Sequence, residues 1–146
     1  MTMTDSATQL ETVSDSVDLL ATPDKVWALI GAFGGMWHPL VAKIEVAGEG
    51  IGQLRTIDTI DGNQIVERLE AIDDAEEFYR YVMISGIPAT AYTGILGVKP
   101  KGTGSSVDWL VQYRPVGAPE LAVKTAVSTL ISSGLEALKI RFGATQ

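Results

Sequence analysis

The chain has no cysteine, and His38 is its only histidine. The first absence excludes disulfides, thiolate metal sites and a cysteine nucleophile together. It also agrees with a reducing cytoplasm, the expected location. The second leaves no histidine cluster, and no set of carboxylates at ligand spacing accompanies His38, so neither a metal nor a cofactor is expected. Basic residues are few: 11 Lys and Arg against 18 Asp and Glu give a net charge of −7. They are scattered, whereas a nucleic acid or an anionic membrane requires a basic patch, so neither partner is expected. No apolar run approaches the roughly 20 residues that span a bilayer, so no membrane insertion is expected. Residues 1–12 are polar, include Asp5 and Glu11, and lack the apolar centre of a signal peptide. No internal repeat or low-complexity linker is present.

What remains is a chain of one domain's size, 146 residues of which 46% are hydrophobic. Residues 1–12 read as a flexible tail and 13–146 as a single domain, large enough to bury a core without staples. Val13, Asp15, Val17 and Leu19 alternate with polar neighbours, predicting a first strand over 13–20. Thr22 as cap and Pro23 at the first helical position then start a short helix carrying Val26, Trp27, Leu29 and Ile30. Glycines 31, 34 and 35 interrupt it, and Trp37-His38-Pro39 closes a second short helical or irregular stretch. From Ala42 the period becomes two, predicting strands over 43–47, 53–60, 64–72, 77–84, 91–98 and 106–113. The connections, such as Asp61-Gly62 and Gly86-Ile87-Pro88, are turns too short for crossover helices, so the strands should be antiparallel neighbours. A last segment, from Pro119 to near Gly143, carries Val123, Val127, Leu130, Ile131, Gly134, Leu135 and Leu138 at helical spacing. A seven-stranded sheet must cover one face, and only this helix is long enough to do so. The expected fold is α+β: a curved antiparallel sheet around a long C-terminal helix, with two short helices between strands 1 and 2.

Several short motifs in this order carry a family resemblance. They are Ala21-Thr22-Pro23 with Val26-Trp27, Trp37-His38-Pro39, Asp61-Gly62, Glu67-Arg68-Leu69, Tyr92 after the Gly-Pro turn, and Val107-Asp108-Trp109. Together they resemble the START/Bet v 1-like (SRPBCC) superfamily, in its bacterial polyketide cyclase/dehydrase-like branch, over nearly the whole domain. The run Glu67 to Glu70 followed by Asp73-Asp74 also resembles the plant abscisic-acid receptors. Ser85-Gly86-Ile87-Pro88-Ala89 is similar to their gate loop but stands, by strand order, where their latch loop stands. No hormone-gating role is therefore carried over. The resemblance implies the helix-grip fold and a cavity between sheet and helix for lipids, polyketides, isoprenoids or aromatic metabolites.

Strand alternation sorts the candidate site residues. Ile65, Glu67, Leu69 and Ala71 share the apolar face of their strand, so Glu67 points inward. A buried carboxylate requires a partner or a proton. Either Arg55 on the neighbouring strand pairs with it, or Glu67 contacts ligand or acts as acid or base. Arg55 is placed inward because Glu67 needs a cation; the reverse register would turn Asp58 to the cavity. Tyr79, Tyr81 and Met83 share one face of the fifth strand, Tyr92 with Gly94 one of the sixth, and Trp109 lies on the seventh. Aromatic rings with polar tips suit an amphipathic ligand, although a filled core would use the same residues. Gly94 and Gly97 favour open space there, or mark curvature. Trp37 and His38 sit near the expected cavity mouth, and Leu130 and Gly134 face it from the helix. His38 is either a general base or a histidine bonded to backbone.

Three function classes follow. A binding protein would hold a small apolar or aromatic ligand against Trp37, Arg55, Tyr79, Tyr81, Met83, Tyr92, Trp109, Leu130 and Gly134. A cofactor-free cyclase or dehydratase would use Glu67 and His38. A ligand-dependent regulatory module would need an apolar patch around Ile87 and Pro88 to bind a partner protein. The sequence does not decide between a monomer and a homodimer.

Overall fold

The computed structural model describes residues 9–144. Seven strands, β1 (Glu11–Leu19), β2 (Val41–Ala47), β3 (Leu54–Thr59), β4 (Gln64–Asp73), β5 (Phe78–Ser85), β6 (Ala89–Lys101) and β7 (Gly104–Pro115), form one sheet. Its order is β1-β7-β6-β5-β4-β3-β2, every pairing antiparallel, as the short turns require. Helix α1 (Pro23–Ile30) follows β1, and α2 (Glu120–Phe142) ends the domain. Strand β1 begins earlier than expected, pairing Glu11 with Tyr113 and Thr12 with Gln112. The rest of the expected tail, residues 1–8, lies outside the described residues.

One expectation is corrected. Only α1 forms between β1 and β2; the stretch around Trp37 and His38 is a chain of turns. Gly34 and Gly35 pay a high backbone entropy in a helix, and Pro39 biases His38 away from helical dihedrals. Single turn bonds, Gly35 N–H to Ala32 O at 2.9 Å and Val41 N–H to His38 O at 3.1 Å, replace a ladder. Thr22 does hold the N-cap position, but its side chain makes no capping bond.

The sheet bends because its ladders carry extra residues. Register shifts fall at Val41/Lys43, Val66/Glu67, Leu69/Ala71 and Thr90/Thr93. Such bulges kink the strand and increase its twist, curling the sheet around what covers it. That cover is α2, whose Val123, Val127, Ile131, Gly134, Leu135 and Leu138 are buried. By length and composition alone α2 would also suffice to cross a membrane; here its apolar side is the one the sheet grips. The end of the helix is fastened too: Leu20 N–H donates to Gly143 O at 3.0 Å, beside a bridge between Leu19 and Ala144.

Candidate functional site

Alternation places one column of side chains inside the curl. Arg55 and Ile57 on β3, Ile65, Glu67 and Leu69 on β4, Tyr79 and Tyr81 on β5, Tyr92 on β6, and Trp109 and Val111 on β7 are all buried. Asp58 faces the other way and accepts a bond from Gln64 Nε2 at 3.0 Å. The register left open by the sequence is thus settled with Arg55 inward.

Arg55 and Glu67 are directly paired across the β3–β4 ladder. Arg55 Nε donates to Glu67 Oε1 at 2.8 Å, and Nη2 approaches the same oxygen at 2.7 Å. Nη1 donates to the Phe33 carbonyl at 2.9 Å and to the Tyr79 hydroxyl at 3.3 Å. The guanidinium also lies over the Phe33 ring, 4.1 Å from its centroid, a favourable cation–π placement. Burial opposes the cation, but the surrounding Tyr79, Glu67 and Tyr81 oxygens outweigh it and hold the Arg55 pKa above its ordinary value. Phe33 was missed by sequence reading. Its only signal was an aromatic residue among glycines, because its role depends on the path of an irregular loop.

His38 has both ring nitrogens engaged. The Leu130 carbonyl lies 2.7 Å from Nε2, and Leu40 N–H donates to Nδ1 at 3.1 Å. A carbonyl only accepts, so Nε2 carries the proton and donates it, while Nδ1 accepts a hydrogen bond. Burial lowers the His38 pKa most, with Arg55 adding to it, and the bond to Leu130 opposes. Both effects keep the ring neutral near pH 7, with no lone pair free for a substrate. His38 therefore joins the turn region to α2.

The aromatics form a continuous wall. Trp37 stands 6.0 Å from Trp109 and 5.7 Å from His38, centroid to centroid. Tyr79 and Tyr81 are 6.0 Å apart, and Trp109 Nε1–H donates to the Tyr81 hydroxyl at 3.1 Å. Gly94 is not open space: the ring of its cross-strand neighbour Tyr81 lies over it. Nor is Gly97, whose Cβ would stand 2.8 Å from Phe78 Cβ. Gly134 admits the close approach of α2, since a Cβ there would meet Trp109 Cζ3 at 2.7 Å and His38 Cδ2 at 2.9 Å. The protein's own rings thus fill the place where a ligand contact was expected.

A cavity remains between sheet and helix. Trp37, His38, Arg55, Glu67, Tyr79, Tyr81, Tyr92, Trp109 and Leu130 line it, as do the apolar Ile57, Ile65, Val111 and Ile131. Met83 is half-buried on β5 opposite Glu67, outside that lining. Its volume is about 60 Å³, room for a few waters at roughly 10–15 Å³ each on this measure. A wider surface cleft of about 350 Å³, bounded by Ile60, Ile87 and Thr129, shares Leu40, Thr59, Ile65 and Leu130 with it. Among the described residues, no three His, Asp or Glu side chains are placed to hold a metal ion.

This arrangement of a curved sheet gripping a long C-terminal helix agrees with the comparison to known families. The model of polyketide cyclase/dehydrase and lipid transport proteins matches residues 11–143. The chain belongs to this family. Its members share the SRPBCC, or Bet v 1-like, fold, and both family and fold are consistent with a hydrophobic-ligand-binding domain. Among solved structures, XoxI of Bacillus cereus is 29% identical with a TM-score of 0.83, covering 90% of this chain and 94% of its own. A Thermobifida fusca protein is 26% identical with a TM-score of 0.78, covering 90% and 93%. Norcoclaurine synthase from Thalictrum flavum, solved with dopamine and hydroxybenzaldehyde, is 18% identical with a TM-score of 0.73, covering 93% and 88%. At that identity the likeness is one of fold. No curated protein matches the chain in sequence.

Proposed function

We propose that this protein binds a small, mostly apolar or aromatic metabolite in the cavity between its sheet and α2. The observation that carries this reading is an aromatic and aliphatic wall whose charged and imidazole groups are already bonded to the protein itself. Such a wall holds a ligand by burial of apolar area, at about 25 cal/mol per Å². Because the cavity is small, a ring enters when Leu40 and Leu130, shared with the outer cleft, move apart. A cyclase or dehydratase using Glu67 and His38 gains no support, since one is paired with Arg55 and the other has both nitrogens committed. A regulatory module presenting an apolar patch around Ile87 and Pro88 gains little, since Pro88 is exposed but Ile87 is turned inward at 8% exposure.

Native mass spectrometry of freshly purified protein tests the proposal. The expected spectrum contains a population heavier than 15.6 kDa by the mass of one small organic molecule, released on denaturation. A single bare species, unchanged after incubation with lipids, flavonoids, polyketides and isoprenoids, would overturn it.

A further inference from the structure

The polar atoms inside the cavity are unequally spent. Arg55 is the only Lys or Arg among the lining residues, and its Nε, Nη1 and Nη2 all serve Glu67, Phe33 or Tyr79. Both contacts of Arg55 with Glu67 fall on Oε1. Among the described residues, nothing bonds Glu67 Oε2, and nothing bonds the Tyr92 hydroxyl. Neither is among the sealed, partnerless atoms of the core, and both residues line the cavity. The space thus offers one unspent carboxylate oxygen and one phenol with no partner, that of Tyr92, with no uncommitted cation; the Tyr79 and Tyr81 hydroxyls each accept one bond and keep an O–H to donate.

We infer that the cavity selects a ligand whose polar end is a neutral hydroxyl, such as a phenol or alcohol, and rejects carboxylates. The inference rests on the binding reading above and names the ligand class within it. A ligand hydroxyl donates to Glu67 Oε2 and accepts from Tyr92 O–H, matching one donor and one acceptor at each end. Burial, and after it the Glu67 charge, raise the Tyr92 pKa above its ordinary value, so the phenol stays protonated and able to donate. A hydrocarbon of the same shape leaves both cavity groups dehydrated and unpaired. A carboxylate loses its hydration, meets the Glu67 carboxylate, and finds no free cation in compensation.

The test compares para-propylphenol, propylbenzene and para-propylbenzoate as ligands of the full chain at about pH 7, where only the benzoate is charged. Calorimetric titration is expected to rank the phenol at least tenfold tighter than the hydrocarbon, and the benzoate weakest. Tyr92→Phe, which keeps the ring, should shrink the phenol's advantage over propylbenzene severalfold while leaving the hydrocarbon's affinity within about twofold. Equal binding of phenol and hydrocarbon, or tighter binding of the benzoate, would overturn the hydroxyl preference while leaving a ligand-binding cavity in place. An unchanged phenol advantage in Tyr92→Phe would overturn the role of that residue and, with it, the inference. If none of the three binds, the hydroxyl preference is overturned; the binding reading falls with it only if the native spectrum also shows no bound molecule.

Discussion

Arg55→Met is expected to destabilise the fold by about 3–5 kcal/mol, the cost typical of stranding one member of a buried ion pair. The substitution keeps an unbranched apolar stem but leaves the Glu67 carboxylate without its cation. It also removes the donor to the Phe33 carbonyl and the partner of the Tyr79 hydroxyl. Glu67 is only 6% exposed, so water cannot replace the guanidinium cheaply. The double variant Arg55→Met/Glu67→Leu should recover most of the loss, because removing both charges also removes their desolvation penalty. Urea unfolding monitored by tryptophan fluorescence measures both, with the midpoint moving and the slope unchanged. A loss below about 1 kcal/mol in the single variant would place the pair in the class of solvated surface bridges. The geometry here excludes that class.

Gly94→Val should cost about 3 kcal/mol and abolish ligand binding, although Val is the better strand former. An added Cβ would overlap Tyr81 Cζ and Oη, and the two residues are direct partners in the β5–β6 ladder. The backbone is held there by neighbouring pairs on both sides, so the ring must turn away. It then loses its bond from Trp109 Nε1 and swings into a cavity of only about 60 Å³. Gly102 provides the control: no atom lies within 4 Å of a Cβ there, so only its positive φ resists substitution. Gly94→Val combined with Tyr81→Ala should relieve the overlap and recover part of the stability. If Gly94→Val keeps wild-type stability and ligand affinity, Tyr81 does not close that wall.

These two sites also mark how far the sequence could be read. Alternation is local, so Ile65, Glu67 and Leu69 declared their common face, and every strand but β6, which runs on to Lys101, emerged within about two residues of its observed ends. The side facing the cavity could be inferred for Arg55 only through its need to neutralise Glu67. Gly94 looked like space because a sequence shows a missing side chain, but not the neighbouring ring that takes its place. His38 illustrates a further limit: one of its partners, the Leu130 carbonyl, lies 92 residues away. The choice between a general base and a backbone-bonded ring was therefore decided by tertiary packing. The second short helix failed for the opposite reason. The stretch around Trp37 carries no helical periodicity to outweigh Gly34, Gly35 and Pro39, which set the backbone.

The central claim is that ligand occupies the space between sheet and α2, and methyl-resolved NMR during titration with para-propylphenol tests it most directly. Saturable shifts are expected at Ile57, Ile65, Val111, Leu130 and Ile131, which line the cavity. Leu121 and Ile140, exposed on α2, should remain unmoved. Shifts confined to those exposed methyls, with the cavity methyls unchanged at saturation, would contradict it.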